Sequence, residues 1–192
     1  MAYGSTLVDT ISSSGNLTIT GNVTTSGTIT SSTGTTYPLV SGTAQATTSG
    51  TTVNFSSIPS WVKRLTIIFS AVSTSGTSFS MVQIGSGSIV TTGYTCIGSA
   101  VNNSTQGSAS YTTGFTIRGS GAATTSLSGQ MILTNITGNT WVCSSVIADT
   151  GDSRMTWTAG TLTLSGILDL VRLTTVNGTD TVDAGSVNIL YE

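Results

Sequence analysis

Histidine is missing from this 192-residue chain, and lysine occurs once, as Lys63. Without imidazole, both the usual general base near neutral pH and the commonest transition-metal ligand are gone. Two cysteines, Cys96 and Cys143, are too few for a thiolate zinc site, so no metal and no cofactor is expected. Charged residues make up 6% of the chain, against roughly 25% in an average soluble protein. Five are basic, only Lys63 and Arg64 are adjacent, and the net charge is −2. Nucleic-acid binding needs clustered Lys and Arg to displace counterions, so no nucleic-acid partner is expected. No apolar run approaches the roughly 18 residues that span a bilayer, which argues against a membrane partner. Met1–Thr6 offers neither a basic start nor an apolar core, so no secretory signal is expected.

Hydroxyl side chains fill the gap: Ser and Thr occupy 71 of the 192 positions. Threonine is β-branched and suits a pleated surface, whereas the helix formers Glu, Lys, Arg and Gln are scarce. Disorder is the competing reading of such a composition. Disordered chains combine low hydrophobicity with high net charge and few β-branched residues, and this chain has 37% hydrophobic residues and little net charge. An all-β domain with a short extension is expected.

Residues 1–36 differ from the rest. No charged side chain occurs between Asp9 and Lys63, and glycine returns every six positions in Gly15–Thr20, Gly21–Ser26 and Gly27–Ser32. An apolar residue follows each glycine by two (Leu17, Val23, Ile29), Ile11 extends the series backwards, and Ile19 adds a further apolar position. Short repeats cannot bury their own faces. Three hexads hold too few apolar side chains to offset the ordering entropy of thirty-odd residues. They are expected to draw on other chains, as a three-fold β stem or an anchoring arm, with an unstructured tail as the alternative. The stem positions are then Ile11, Leu17, Ile19, Val23 and Ile29.

Tyr37-Pro38 reads as a joint, which makes 37–192 the main domain. Strand-like runs follow at Trp61–Phe69, Phe79–Ile84, Phe115–Arg118, Met131–Ile136, Trp141–Ile147, Arg154–Leu164, Leu168–Val176 and Val187–Tyr191. In the first, alternation places Trp61, Leu65, Ile67 and Phe69 on one face, with Lys63 escaping to solvent. Asn177-Gly178 is a tight-turn signal, because both residues tolerate positive φ. About eight strands at this spacing predict an antiparallel β-sandwich of jelly-roll type.

Catalysis is hard to build from these residues, and no enzyme is expected. Nothing in the sequence activates a serine or threonine. Two carboxylate pairs, Asp149 with Asp152 and Asp180 with Asp183, fall in Gly/Thr-rich segments where Asp closes turns; calcium ligation and glycoside hydrolysis are the alternatives. Trp61 and Trp141 read as core, and Trp157, flanked by polar residues, reads as core or a subunit contact, with an exposed glycan-stacking ring as the alternative. Tyr94 and Tyr111 are expected as surface aromatics in Gly/Ser-rich loops. Cys96 and Cys143 read as buried thiols, with a disulfide between them as the alternative. Seven of nine asparagines sit in N-x-Ser/Thr triplets, a number that this hydroxyl content produces by chance.

Two segments, Ile58–Thr66 and Leu168–Glu192, resemble a C-terminal domain of tailed-bacteriophage and prophage virion proteins, often described as tail fibres. The likeness covers about Leu39–Glu192, and the Gly15–Ser32 hexads look like the trimeric anchoring segments of phage fibres and head decorations. The resemblance implies a homotrimeric β-sandwich knob on a thin stem, carrying no catalytic residues. It implies a virion protein assembled in the host cytoplasm against other capsid or tail proteins. A capsid decoration or cement protein, or a short fibre, is the expected role. A receptor-binding adhesin for host surface glycan is the alternative. The departure is the stem, which is far shorter than a tail-fibre shaft.

Overall fold

The computed structural model describes residues 39–192, preceded by the backbone of two short strands, β1 (Ile29–Ser31) and β2 (Gly34–Thr36). The chain divides into two units, Met1–Tyr37 and Pro38–Glu192. In the first, β1 and β2 pair antiparallel with Ile29 opposite Thr36. The other stem positions, Ile11, Leu17, Ile19 and Val23, lie outside the described residues.

The second unit is all-β, and no helix occurs among the described residues. Its strands are β3 (Val40–Ser41), β4 (Gln45–Ala46), β5 (Val53–Ser56), β6 (Arg64–Thr74), β7 (Ser80–Ser86), β8 (Ser88–Ile89), β9 (Thr95–Val101), β10 (Gln106–Tyr111), β11 (Phe115–Ile117), β12 (Leu127–Thr137), β13 (Thr140–Asp149), β14 (Arg154–Thr163), β15 (Leu170–Thr175) and β16 (Val182–Tyr191). A nine-stranded sheet runs β10-β9-β14-β13-β12-β6-β16-β3, with β4 also on β16. A five-stranded sheet runs β11-β7-β15-β5, with β8 on β7. Early strands pair with late ones in both sheets: β6 with β16, and β7 with β15. This is the roll-like part of the topology. The β12-β13-β14 meander stays within the large sheet instead of alternating between sheets.

The core lies between the two sheets and follows from period-two alternation. In β6, Leu65, Ile67 and Phe69 are buried; Lys63, just ahead of the strand, is exposed; and Trp61 packs half-buried against the core, 5.9 Å from Tyr191. In β13, Trp141, Cys143 and Ile147 point inward, opposed by Val171, Leu173, Val82 and Ile84 of the small sheet within one continuous cluster. Asn177-Gly178 forms the expected turn, with Gly178 at φ 70° and its N–H donating to Thr175 O at 3.0 Å. The turn leads from β15 to β16 and so passes between sheets rather than closing a hairpin.

More strands form than the hydrophobic pattern predicts, and β9 with β10 shows why. The inward positions of β9 are Cys96, Gly98 and Ala100, which give almost no apolar signal. They are small because β11 presses on them: a Cβ on Gly98 would lie 2.9 Å from Thr116 O, and Thr158 Oγ1 donates to that same carbonyl at 2.7 Å. At the other end, Ala71 (φ 51°) in β6 and Gly185 (φ 90°) in β16 mark adjacent bulges, and a Cβ on Gly185 would meet Ala71 O.

Cys96 and Cys143 are buried free thiols on the inner face. Register explains why they stay apart. Gly160 of β14 lies opposite both, so the two cysteines are two strand spacings apart, roughly 9.5 Å, beyond disulfide reach. Burial pushes both thiols up, Cys143 well above its ordinary range.

Candidate functional site

The carboxylates organise loops. Asp149 is fully buried, and its oxygens accept from the backbone N–H groups of Ser120 (2.7 Å), Ser126 (3.0 Å) and Gly151 (3.2 Å). Asp152 accepts from Arg154 Nε at 2.8 Å and Asn102 Nδ2 at 3.1 Å. Asp180 takes the Asn177 side-chain amide at 2.7 Å and the Ser78 N–H at 2.9 Å, and these donors hold its carboxyl below the usual range. Asp183 is exposed on β16. Turn closure therefore describes Asp149, Asp152 and Asp180. Among the described residues no cluster of His, Cys, Asp and Glu could hold a metal ion.

The three aromatics singled out in the sequence do not meet. Tyr94 is a core residue, correcting the expectation of a surface ring. It is 2% exposed, stacks edge-on to Phe115 at 5.0 Å, and its hydroxyl accepts from Ile84 N–H at 2.8 Å while lying 3.0 Å from Val90 O. A loop tyrosine is buried here because the backbone of β7 supplies the polar partner its hydroxyl needs. Tyr111 ends β10 on the inward side, half-buried, with its ring 6.5 Å from Phe79. Trp157, 42% exposed, is not a core residue as one reading of the sequence had it: alternation along β14 turns it to the opposite, outward face of the large sheet, away from the other two rings.

That outward face is the most distinctive surface of the described chain. Ile97 (β9), Val142 and Val146 (β13), and Met155 and Trp157 (β14) are all large, apolar and exposed, and they share it. One row across the sheet reads Ile68, Gln130, Val146, Trp157, Ser99 and Ser108 in direct register. Ile68, Ile132 and Leu190 add apolar side chains to the face and Gln130 and Asn188 polar ones, much of the rest is serine, threonine and alanine, and the Arg64–Glu192 ion pair at 3.2 Å stands at its end. A shallow groove beside Trp157 is lined by Ser99, Val101, Gln106 and Ser108. Such a face suits a dry or hydroxyl-rich contact with an uncharged surface.

Sequence reasoning found Trp157 but missed Ile97, Val142, Val146 and Met155. The signal was present in Trp141-Val142-Cys143 and Val146-Ile147, where apolar residues occupy both faces of one strand. That is the pattern of a strand covered on both sides. Comparison of the chain with protein-family models, with curated proteins and with solved structures finds no match.

Proposed function

We propose that this chain is a non-enzymatic structural protein of a tailed-bacteriophage particle, acting as a homotrimer that decorates the capsid or forms a short appendage. The observation that carries the self-association is the charge-poor outward face bearing Ile97, Val142, Val146, Met155 and Trp157, whose Arg64 is already paired with Glu192. Identical copies meet there without like-charge repulsion, and each contact removes exposed apolar surface from water at about 25 cal/mol per Å². The phage assignment rests on the likeness of Ile58–Thr66 and Leu168–Glu192 to virion domains. The loop roles of Asp149, Asp152 and Asp180 support a structural rather than catalytic reading, since their oxygens are engaged by backbone and side-chain donors. Native mass spectrometry should give a trimer, and immunogold labelling should place the protein on intact particles. A stable monomer, or particles that never carry the label, would sink this reading.

A second reading draws on the groove at Trp157. An exposed indole beside the neutral hydrogen-bonding groups of Gln106, Ser99 and Ser108 also fits an uncharged glycan. Under that reading, Trp157→Ala abolishes host adsorption while particles keep their full complement of the protein. Unchanged adsorption removes the adhesin.

A further inference from the structure

The nine-stranded sheet ends on β10, whose far side pairs with no described strand. Exposed edges are normally blunted by brevity, charge, proline or a bulge. The other edges are blunted in this way: β3 and β4 have two residues each, β11 has three, and Asn54 O in β5 is capped by Gln45 Nε2 at 2.7 Å. Strand β10 has none of these devices. Gln106–Tyr111 contains no charge and no proline, and it runs in unbroken register with β9 over six residues.

The register also fixes which groups face outward. Asn102 N–H donates to Thr105 O at 2.9 Å at the hairpin end, so Asn102 and Thr105 form a hydrogen-bonded pair. Antiparallel ladders alternate, which makes Val101/Gln106, Ser99/Ser108 and Ile97/Ser110 the non-bonded pairs. The backbone N–H and C=O of Gln106, Ser108 and Ser110 therefore point away from β9, and their side chains lie on the charge-poor outward face.

We infer that this edge accepts an extended strand from the N-terminal hexads, Gly15–Ser26, of a neighbouring copy. The inference rests on the proposed self-assembly and names its acceptor. The match is one of length and chemistry. Each glycine-to-glycine unit is six residues, the length of β10. The hexads carry no charge, and neither does β10 itself, whose Gly107 has the Arg118 guanidinium on its inward side, away from the proposed contact. Leu17-Thr18-Ile19-Thr20 alternates with period two, so Leu17 and Ile19 share one face of an added strand. Placed on the outward side, they extend the apolar patch of Trp157 and Ile97. Backbone pairing supplies the affinity and the alternating side chains the register.

Amide hydrogen exchange on the intact full-length assembly tests this, alongside a double variant Thr18→Pro/Thr24→Pro that spoils the hexads and leaves the sandwich untouched. The Gln106, Ser108 and Ser110 amides should exchange at least about tenfold more slowly in the wild type than in the double variant. As a reciprocal check, Ser108→Pro deletes one outward N–H without breaking the β9 ladder, and it should weaken assembly. Fast exchange in a wild-type trimer would overturn the acceptor edge while leaving self-assembly standing. Protection that persists in the double variant would give the edge to a different strand, such as a second β10. A monomer would overturn both proposals, and protection within that monomer would assign the strand to the same chain.

Discussion

Tyr94 and Ile84 are joined by a hydrogen bond in the core, the Ile84 N–H donating to the phenol oxygen at 2.8 Å. The ring carries this hydroxyl from the approach to β9 into the layer between the sheets. Removing it leaves Ile84 N–H and Val90 O without that partner in an apolar setting. Tyr94→Phe is expected to cost about 1–3 kcal/mol, the penalty of an unsatisfied buried amide, with the fold otherwise kept. Urea denaturation followed by tryptophan fluorescence measures it, and a variant as stable as the parent would show that the bond contributes nothing net.

Stability is expected to fall at alkaline pH. Burial pushes the Tyr94 phenol from 10.0 up to about 12. Its stabilising contribution is complete below pH 10, where both states hold the proton. It is lost as pH rises towards 12, because the unfolded chain ionises first. Two pH units correspond to roughly 3 kcal/mol. The buried thiols act in the same sense from about pH 9, their pKa values also being raised. Urea midpoints between pH 8 and 11.5 should therefore decline, and Tyr94→Phe should flatten the part above pH 10. An equal slope in both proteins would contradict the assignment.

The all-β class and much of the strand framework were legible because β6, β12, β13 and β16 carry large alternating residues such as Leu65, Ile67, Met131, Leu133, Val187 and Ile189. Strands β9 and β10 were not. Their inward positions are glycine, alanine and cysteine apart from Tyr111 at the end of β10, and Gly98 is sized to admit the backbone of β11, so the packing that defines these strands erases the hydrophobic pattern. Tyr94 misled for a related reason: Gly/Ser neighbours suggest an exposed loop, while the partners that bury its hydroxyl lie in β7 and at Val90. The outward face was half-legible through Trp157. The rest needed the register that aligns Val146 with Trp157 and Ser99.

Ala71 adopts φ 51° at the bulge of β6 and is exposed there. A left-handed conformation costs an L-residue with a Cβ roughly 1 kcal/mol, and glycine escapes that cost. Ala71→Gly should stabilise the domain by about 0.5–1 kcal/mol in thermal or urea unfolding. A loss of stability would mean that the alanine methyl makes a contact worth more than the strain it imposes.

Thr116 sits fully buried in β11 with its hydroxyl unpartnered, although its carbonyl accepts from Thr158. An unsatisfied buried hydroxyl is costly, and valine has nearly the same shape. Thr116→Val is expected to raise stability by about 1 kcal/mol without altering assembly. Destabilisation would point to a bound water serving the hydroxyl.

The outward sheet face makes the sharpest demand on the proposed assembly. Val146 is 51% exposed and lies directly opposite Trp157, away from the Arg64–Glu192 pair at the end of the face. In an isolated chain, Val146→Lys places a charge in water, and surface changes of this kind shift folding stability by about 0.5 kcal/mol or less. At a buried contact between copies the same lysine is an unpaired charge costing about 3–5 kcal/mol, so dissociation should strengthen by at least a hundredfold. Sedimentation equilibrium measures the second effect and urea unfolding the first. Weakened assembly with a normal fold is the expected outcome. An unchanged trimer would mean that the copies meet elsewhere and that this face serves another partner.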